Sequence, residues 1–432
     1  MLFVELSVVL LAIWLGSRLG SIGIGYAGGL GVLVLAMLGL TPGHIPTSVI
    51  LIIMSVISVI AAMQVAGGMD YLVKIAERII RKNPKQITFI APLVTYGMTL
   101  LAGTGHTAFS TMPVITEVAK EQGIRPSRPL SIAVVASQIA ITASPISAAV
   151  VALTGILAPL GVDYLSILAV SIPASLAAVL LTAFVANRQG VELDEDPVYQ
   201  QRLAEGLVRA TKADELAIKP GAKRAVGIFL FSIFAIVAYA TAISDSVGLI
   251  ENPVMARDQA IMILMLSAAA VITLVCKVDT GQILGASTFK AGMSACICVL
   301  GVAWLGDTFV SAHIETIKEV AGELVRNYAW LLAVALFFAS MLLYSQAAAT
   351  VALMPAAVAM GVEPLVIVAS FAAVSALFVL PTYPTLLAAV EMDDTGSTRI
   401  GKYVFNHPFL LPGVVAITLA VAFGFAIGSV VL

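Results

Sequence analysis

The sequence predicts an all-α polytopic membrane protein built from two inverted-topology repeats. The chain of 432 residues is 60% hydrophobic and only 11% charged, whereas soluble domains carry about 25% charged residues. Apolar stretches near the roughly 20 residues that cross a bilayer as a helix recur along the whole chain. Because lipid offers the backbone no hydrogen-bond partner, these stretches are predicted to be helices.

Two polar interruptions in the apolar sequence predict the repeat. "LLAGTGHTAFSTMP" starts at Leu100 and "LLYSQAAATVALMP" at Leu342, and both end at Met-Pro. Further landmarks recur at the same spacing of roughly 240 residues, and internal repeats are typical of transporters. The matched pairs are Gly103 with Ser345, Pro113 with Pro355, Pro126 with Pro364, and Pro145 with Pro384.

Each half is predicted to contain three spans, an amphipathic surface helix, a re-entrant hairpin, a broken helix and a closing span. A proline inside an apolar helix removes a backbone donor and interrupts the helical hydrogen bonds. The proline therefore marks the position at which the broken helix is interrupted. The predicted units are residues 1–187 (hairpin about 88–119, broken helix about 130–160), the cytoplasmic linker 188–223, and residues 224–432 (hairpin about 328–360, broken helix about 364–392).

Each half is predicted to cross the membrane five times, counting the broken helix. Because five is an odd number, the two repeats must be inverted in the membrane. Lys and Arg mark the cytoplasmic side. Placing both termini outside, in the periplasm, puts the basic runs 74–85 and 120–128 and the linker inside. The predicted topology therefore has ten crossings, with one hairpin entering from each side.

Inverted repeats with discontinuous helices are typical of secondary transporters, whose substrate site lies where the interruptions meet. Each interruption starts a half-helix, whose free N–H groups and dipole favour an anion. Neutral donors bind a carboxylate without leaving a permanent charge in the empty carrier. Two facing hairpin tips would suit a small dicarboxylate. The candidate substrate-binding residues are Gly103, Thr104, Gly105, His106, Thr142, Ser144, Pro145, Ser147, Ser345, Gln346, Thr350, Thr382, Tyr383 and Thr385.

Several of these candidates have a structural alternative. His106 is the ionisable residue of a predicted tip, where it would donate to a carboxylate, carry a proton, or simply orient the tip. The Ser-Pro and Thr-Tyr-Pro motifs would alternatively be plain helix kinks.

Three charged residues are candidates for modulating transport. Glu77 and Arg81 are spaced as an i, i+4 ion pair on a helix surface. Alternatively, together with Arg125, they would attract the anion to the inner mouth.

Other functional classes lack their signatures. The net charge is −2, with no basic stripe for a nucleic acid, and the four histidines are scattered without a catalytic motif. The three cysteines lack zinc-site spacing. We therefore expect no enzyme activity, no cofactor, no metal and no nucleic-acid partner.

Three long runs closely resemble the anaerobic four-carbon dicarboxylate transporters, the Dcu family, and within it the DcuA-type branch. They are "QIAITASPISAAVV", "STFKAGMSACICVLGVAWLGDTFVS" and "LPTYPTLLAAVEMDDTGSTRIGKYVFNHPF". The resemblance covers essentially the whole chain. It carries the family's transport residues onto Glu77, Arg81 and Arg125.

The resemblance implies antiport of succinate, fumarate, malate and aspartate at a bacterial inner membrane, by an elevator motion of the hairpin-bearing part. A Na⁺- or H⁺-coupled dicarboxylate symporter is the alternative, since the glycine and carbonyl groups of the tips would equally ligate a cation. A homo-oligomer and a sensor-kinase partner stay open. The lipid bilayer and small dicarboxylates are the expected partners.

Overall fold

The computed structural model describes residues 2–19, 21–45, 47–208, 218–243, 249–250, 252–328, 330–343, 345–380, 383–402 and 405–432. The regular secondary structure of these residues is helical, with no strand among them, so the all-α prediction is confirmed for this part of the chain. Residues 209–217 of the predicted linker and Thr382 lie outside the described residues, as does the side chain of His106.

The first half forms ten helices within the described residues. They are α1 Leu2–Leu19, α2 Ser21–Met37, α3 Thr47–Val65, α4 Gly68–Lys82, α5 Ile87–Ala102, α6 Ala108–Glu121, α7 Ser127–Ile139, α8 Ala148–Leu157, α9 Tyr164–Asn187 and α10 Pro197–Ala204. Short 3-10 segments occur at Pro84–Gln86, Gly105–Thr107, Ala140–Ala143, Ala158–Leu160 and Leu193–Glu195.

The described part of the second half adds nine helices and one longer 3-10 segment. The helices are α11 Ala222–Ala242, α12 Arg257–Val275, α13 Thr280–Ile283, α14 Ser287–Asn327, α15 Trp330–Leu343, α16 Gln346–Ala359, α17 Pro364–Ser370, α18 Pro384–Met392 and α19 Leu410–Val431. The 3-10 segment, Phe371–Phe378, directly follows α17. Helix α14 is kinked at His313, whose φ of −121° and ψ of 17° are not helical.

Six helices in the described residues are long and apolar enough to cross a membrane, and the bent pair α3 and α4 would make a seventh. The six are Ser127–Leu160, Tyr164–Asn187, Ala222–Ala242, Asp258–Val275, Ser287–His313 and Leu410–Val431. Helices α1, α2 and α15 to α17 are apolar but shorter. These lengths fit a multi-pass membrane protein, and the ten crossings stay a prediction.

The helices pack as two groups, and each group takes helices from both halves of the chain. One group, here the three-span group, joins α1 to α4 with α11 to α14. The other, here the hairpin group, joins α5 to α9 with α15 to α19. The groups meet mainly where α14 packs on α16 and α4 on α6. Neither half therefore forms a core on its own.

Glycines bring α2 and α14 into backbone contact inside the three-span group. A methyl group built on Gly301 would lie 1.9 Å from the carbonyl oxygen of Gly25, and one built on Gly28 would lie 2.4 Å from the carbonyl carbon of Gly301. These distances are far below van der Waals contact, so a side chain at either position would push the two helices apart.

We expect Gly301→Ala to lower the thermal midpoint of the purified protein, because the added methyl group must displace the backbone of α2. Gly227→Ala is the matched control. Gly227 lies inside α11, and a methyl group there has no neighbour within 4 Å. Replacing a mid-helix glycine by alanine usually stabilises by about 0.5–1 kcal/mol. Equal midpoints for the two variants in a detergent melt would contradict the close packing of α2 on α14.

Candidate functional site

The first hairpin tip is a tight turn between α5 and α6, closed by threonine hydroxyls. Gly103 ends α5 with φ +67°, a left-handed conformation that favours glycine. Its N–H donates to the Thr99 carbonyl oxygen at 2.8 Å. The Thr107 hydroxyl donates to the Thr104 carbonyl oxygen at 3.2 Å and lies 2.9 Å from the Thr99 hydroxyl. The tip is therefore held by neutral groups.

The break between α7 and α8 is organised by two serines. Helix α7 passes into a 3-10 segment, after which the backbone is extended at Ser144, with φ −78° and ψ 123°. The Ser147 hydroxyl donates to the Ile141 carbonyl oxygen at 2.6 Å and accepts from the Val150 N–H at 3.2 Å, which caps α8. Pro145 supplies a carbonyl oxygen to the Tyr164 hydroxyl at 2.6 Å. The Ser-Pro motif thus lies at a break between two helices, of which α8 begins with a side-chain cap.

The first tip and the first break lie against each other. The Ser144 hydroxyl donates to the Leu100 carbonyl oxygen at 2.7 Å, on the last turn of α5. A methyl group on Gly103 would lie 3.0 Å from Cγ1 of Ile146. Gly105 similarly faces Ile141 and the Ser137 carbonyl, at 3.4 Å each. The glycines of the tip therefore permit close approach to the break.

The second tip begins α16 with a side-chain cap. Ser345 is extended, with φ −153° and ψ 121°, and its hydroxyl accepts from the Ala348 N–H at 3.1 Å. The Thr350 hydroxyl donates to the Gln346 carbonyl oxygen at 2.8 Å, one turn along. Gln346 and Thr350 are both buried. This tip thus also presents a helix N-terminus in the protein interior.

The second break lies between the 3-10 segment Phe371–Phe378 and α18. Tyr383 precedes the proline that starts α18 and is extended, with ψ 135°. Thr385 is the second residue of α18 and is only 1% exposed. Burial at this position leaves its hydroxyl dependent on protein partners.

Gln138, near the end of α7, connects the second tip and the second break to the first broken helix. Its carbonyl oxygen accepts from Nε2 of Gln346 at 3.3 Å, and its own Nε2 donates to the Thr385 hydroxyl at 3.3 Å. Gln138 is 1% exposed, and its Oε1 has no hydrogen-bond partner. An unpaired buried polar group costs about 1–3 kcal/mol. The interruptions of both halves therefore meet around this residue.

The described candidates at the interruptions thus occupy one region of the hairpin group. The first tip contacts the first break, and the second tip and second break both bond to α7. Thr142 lies at the first break with its hydroxyl donating to the Ile139 carbonyl oxygen at 2.8 Å. Helices α6, α8, α16 and α18 all begin at interruptions. The contacts of Gln138 are not predictable from the sequence, because a single amide in an apolar helical stretch belongs to no recognisable motif.

A cavity of about 550 Å³ borders two of these half-helices. Its walls include Thr154 on α8, Pro355 on α16, Ser48 on α3, and Asp258 and Asp307 on the three-span group. It lies between the two helix groups. Asp307 also has a structural contact, because its Oδ2 accepts from the His44 N–H at 2.6 Å and so holds the segment before α3.

Arg81, on α4, lies in a cluster of carboxylates from α4 and α6. It pairs with Glu77 at 3.0 Å, with Glu117 at 2.8 Å and with Glu121 at 3.6 Å. Burial lowers the pKa of Arg81, but the hydrogen bond with Glu77 and the attraction of Glu117 and Glu121 outweigh it, so the pKa is raised. The predicted i, i+4 pair is present, and it extends across α4 to α6.

Arg125 lies beneath the linker, away from the interruptions. It is 8% exposed, and its Nη1 is 2.5 Å from Oδ2 of Asp196, itself 1% exposed. Its Nε donates to the Ser127 hydroxyl at 3.0 Å. The neighbouring Arg128 binds the Gln189 and Gly190 carbonyl oxygens. The structure thus brings Arg125 to the linker and Arg81 to α6, and does not bring them together.

The polar loop after α18 attaches to the start of α7. Buried Asp393 accepts from the Thr395 hydroxyl at 2.5 Å, the Ser397 hydroxyl at 2.7 Å and the Thr398 N–H at 2.6 Å. The Ser397 hydroxyl in turn accepts from the Ser127 N–H at 3.1 Å. The run "DDTGST" carries the composition of a turn, which is the sequence signal for this loop.

Comparison with known proteins identifies the family. A sequence model described as the anaerobic C4-dicarboxylate membrane transporter, DcuA_DcuB, matches residues 1–432. The chain belongs to this family. The resemblance found in the sequence is therefore confirmed.

Relatives in the family are named as transporters, not as enzymes. The C4-dicarboxylate transporter DcuA of Wolinella succinogenes is 64% identical over 433 residues, with 100% of both chains covered. The DcuA of Escherichia coli K12 is 60% identical over 433 residues, again with 100% of both covered. The anaerobic C4-dicarboxylate transporter DcuB of Escherichia coli O6:H1 is 36% identical, with 98% of each chain covered.

A solved structure shares the fold. The YdaH transporter of Alcanivorax borkumensis, described as having an unusual topology, superposes with a TM-score of 0.56 and covers 99% of this chain and 97% of its own. The sequence identity is 16%, so the likeness concerns the fold alone.

We expect Asp196→Asn to lower the thermal midpoint strongly, because it leaves the Arg125 guanidinium buried without a counter-charge. Removing one partner of a buried pair costs about 3–5 kcal/mol. Asn retains the cap that Asp196 gives to the Val198 N–H. Glu192→Gln is the control, since Glu192 pairs with Arg128 but its side chain is 63% exposed, and exposed pairs contribute about 0–1 kcal/mol. Similar midpoints for the two variants would show that Arg125 is not held by Asp196.

Proposed function

We propose that this chain transports C4-dicarboxylates across a bacterial inner membrane, by antiport of succinate, fumarate, malate or aspartate. Its membership of the C4-dicarboxylate transporter family and its apolar helices support transport by a multi-pass membrane protein. Both termini are assigned to the periplasm, following the charge distribution of the loops.

The observation that carries the proposal is the meeting of the interruptions of both halves inside the hairpin group. Four helices begin there, and a helix N-terminus favours an anion through its free N–H groups and its dipole. The Gln138 bonds to Gln346 and Thr385 bring the N-termini of α16 and α18 to the same part of α7. A substrate with two carboxylates suits such a pair of helix ends.

The chemistry of the interruptions supports a site at which the only charges are those of the bound substrate. The described candidate residues offer hydroxyl, amide and backbone groups, and none is Lys, Arg, Asp or Glu. A charged side chain at the site would itself cost several kcal/mol in the membrane interior. In antiport the binding site must return with a substrate bound. With neutral side chains at the site, the substrate supplies all of the charge.

The division into two helix groups supports an elevator motion. The hairpin group contains the interruptions, and the three-span group packs against it mainly through α14 and α16. The cavity between the groups borders α8 and α16, which start at interruptions. We assign this cavity to the periplasmic approach to the site. The hairpin group would then carry the substrate past the three-span group.

The linker contributes to the same mechanism. Its first part is fastened to the hairpin group by Arg125, by Arg128 and by the bond from Arg202 to the Asp394 carbonyl oxygen. Its last described part lies on the three-span group, where Lys219 donates to the Val65 carbonyl oxygen at 2.9 Å. The linker thus joins the two groups as well as the two halves. In this account Arg125 holds the linker to the moving group and does not bind substrate.

The test is uptake of labelled succinate into liposomes that contain the purified protein. We expect uptake when the liposomes hold succinate or fumarate, and background uptake when they hold butyrate, which carries a single carboxylate. The reason is that the site must return with a dicarboxylate. Uptake into butyrate-loaded liposomes that follows an imposed Na⁺ or H⁺ gradient would contradict antiport and favour the symporter. No uptake under any condition would contradict dicarboxylate transport itself.

A further inference from the structure

Gln138 has one buried polar atom without a partner, in the region where the interruptions meet. Its Nε2 donates to the Thr385 hydroxyl, and its main-chain carbonyl oxygen accepts from Nε2 of Gln346. Its Oε1 has no hydrogen-bond partner. The residue is 1% exposed. Buried side-chain amides normally satisfy both ends, so the free oxygen calls for an explanation.

The position of this oxygen points to a ligand. Thr385 is the second residue of α18, and Gln346 is the first residue of α16. Both contacts of Gln138 are therefore made at helix N-termini, where an anion is favoured. An amide oxygen accepts hydrogen bonds and repels a carboxylate. Its partner on a bound dicarboxylate must consequently be a donor, separate from the carboxylates.

We propose that Gln138 is a specificity-determining residue, whose Oε1 accepts a hydrogen bond from a hydroxyl or ammonium group on the second carbon of the substrate. This inference rests on the proposed dicarboxylate site. It assigns the two carboxylates to the helix N-termini and the hydroxyl or ammonium group to Gln138. Succinate and fumarate lack such a donor and leave the oxygen unpaired. Malate and aspartate supply one.

The chain should therefore bind malate and aspartate more tightly than succinate. A site whose buried acceptor is left unpaired discriminates against the ligand that lacks the donor. One such hydrogen bond corresponds to a difference of roughly tenfold in dissociation constant. All three acids have four carbons and two carboxylates. Malate differs from succinate by the hydroxyl donor alone, whereas the ammonium group of aspartate also changes the net charge.

The experiment is titration calorimetry of the purified full chain with succinate, malate and aspartate. Gln138→Met keeps the side-chain volume and removes the acceptor. The ratios of malate and of aspartate affinity to succinate affinity should therefore fall to about one. Gln138→Glu keeps an acceptor and adds a negative charge, so the ratio of aspartate to succinate affinity should rise above that of the unchanged protein. Ser131→Ala is the control. Ser131 is buried on the same helix, and its hydroxyl donates to the Arg128 carbonyl oxygen.

The two variants move the aspartate-to-succinate ratio in opposite directions, which a residue that only supports the fold would not do. Equal weakening of all three acids by both variants would overturn the inference. That result is expected of a structural residue, or of an amide turned so that its N–H faces a carboxylate. If the unchanged protein binds none of the acids, the proposed function fails as well. If it binds them with a ratio that Gln138→Met leaves unaltered, the inference alone fails.

Discussion

The constraint on which this structure depends is that the backbone must be hydrogen-bonded wherever water is absent. A chain that is 60% hydrophobic is expected to satisfy this with continuous helices. Four helices nevertheless begin at interruptions in the interior, and side-chain hydroxyls take over part of the bonding there. Ser144 binds the end of α5, Ser147 spans its own break, and Ser345 caps α16. These hydroxyls allow an irregular backbone to exist inside the protein.

The same constraint explains why neutral side chains dominate the interruptions. Small residues allow a tip to approach a break, as Gly103 approaches Ile146. Hydroxyl and amide groups supply donors and acceptors without the desolvation cost of a charge. Charges are found instead where the linker and the polar loop after α18 cover α6 and α7, as in the pair of Arg125 and Asp196 and the pair of Lys120 and Asp394. The neutral interruptions and the charged contacts of the linker and loop thus lie in different parts of the hairpin group.

The sequence predicted where the helices would break but not how the broken ends would meet. Gly103, Pro145 and Pro384 are local signals, because they act on their own backbone. The bonds of Gln138 join residues more than 200 positions apart, at Gln346 and Thr385, and an isolated glutamine in an apolar helix gives no sign of them. Likewise the i, i+4 spacing indicated the pair of Glu77 and Arg81, whereas the partner of Arg125 lies in the linker. The packing of helices from both halves into each group is also a long-range property.

Substrate protection of one tip residue would show whether the interruptions together form the dicarboxylate site. Ser345→Cys would be introduced after replacing Cys276, Cys296 and Cys298 by alanine. The rate of its reaction with a small thiol reagent would then be measured in liposomes. We expect succinate to slow the reaction and butyrate at the same concentration to leave its rate unchanged. An equal rate with and without succinate, in protein that still transports it, would contradict the claim.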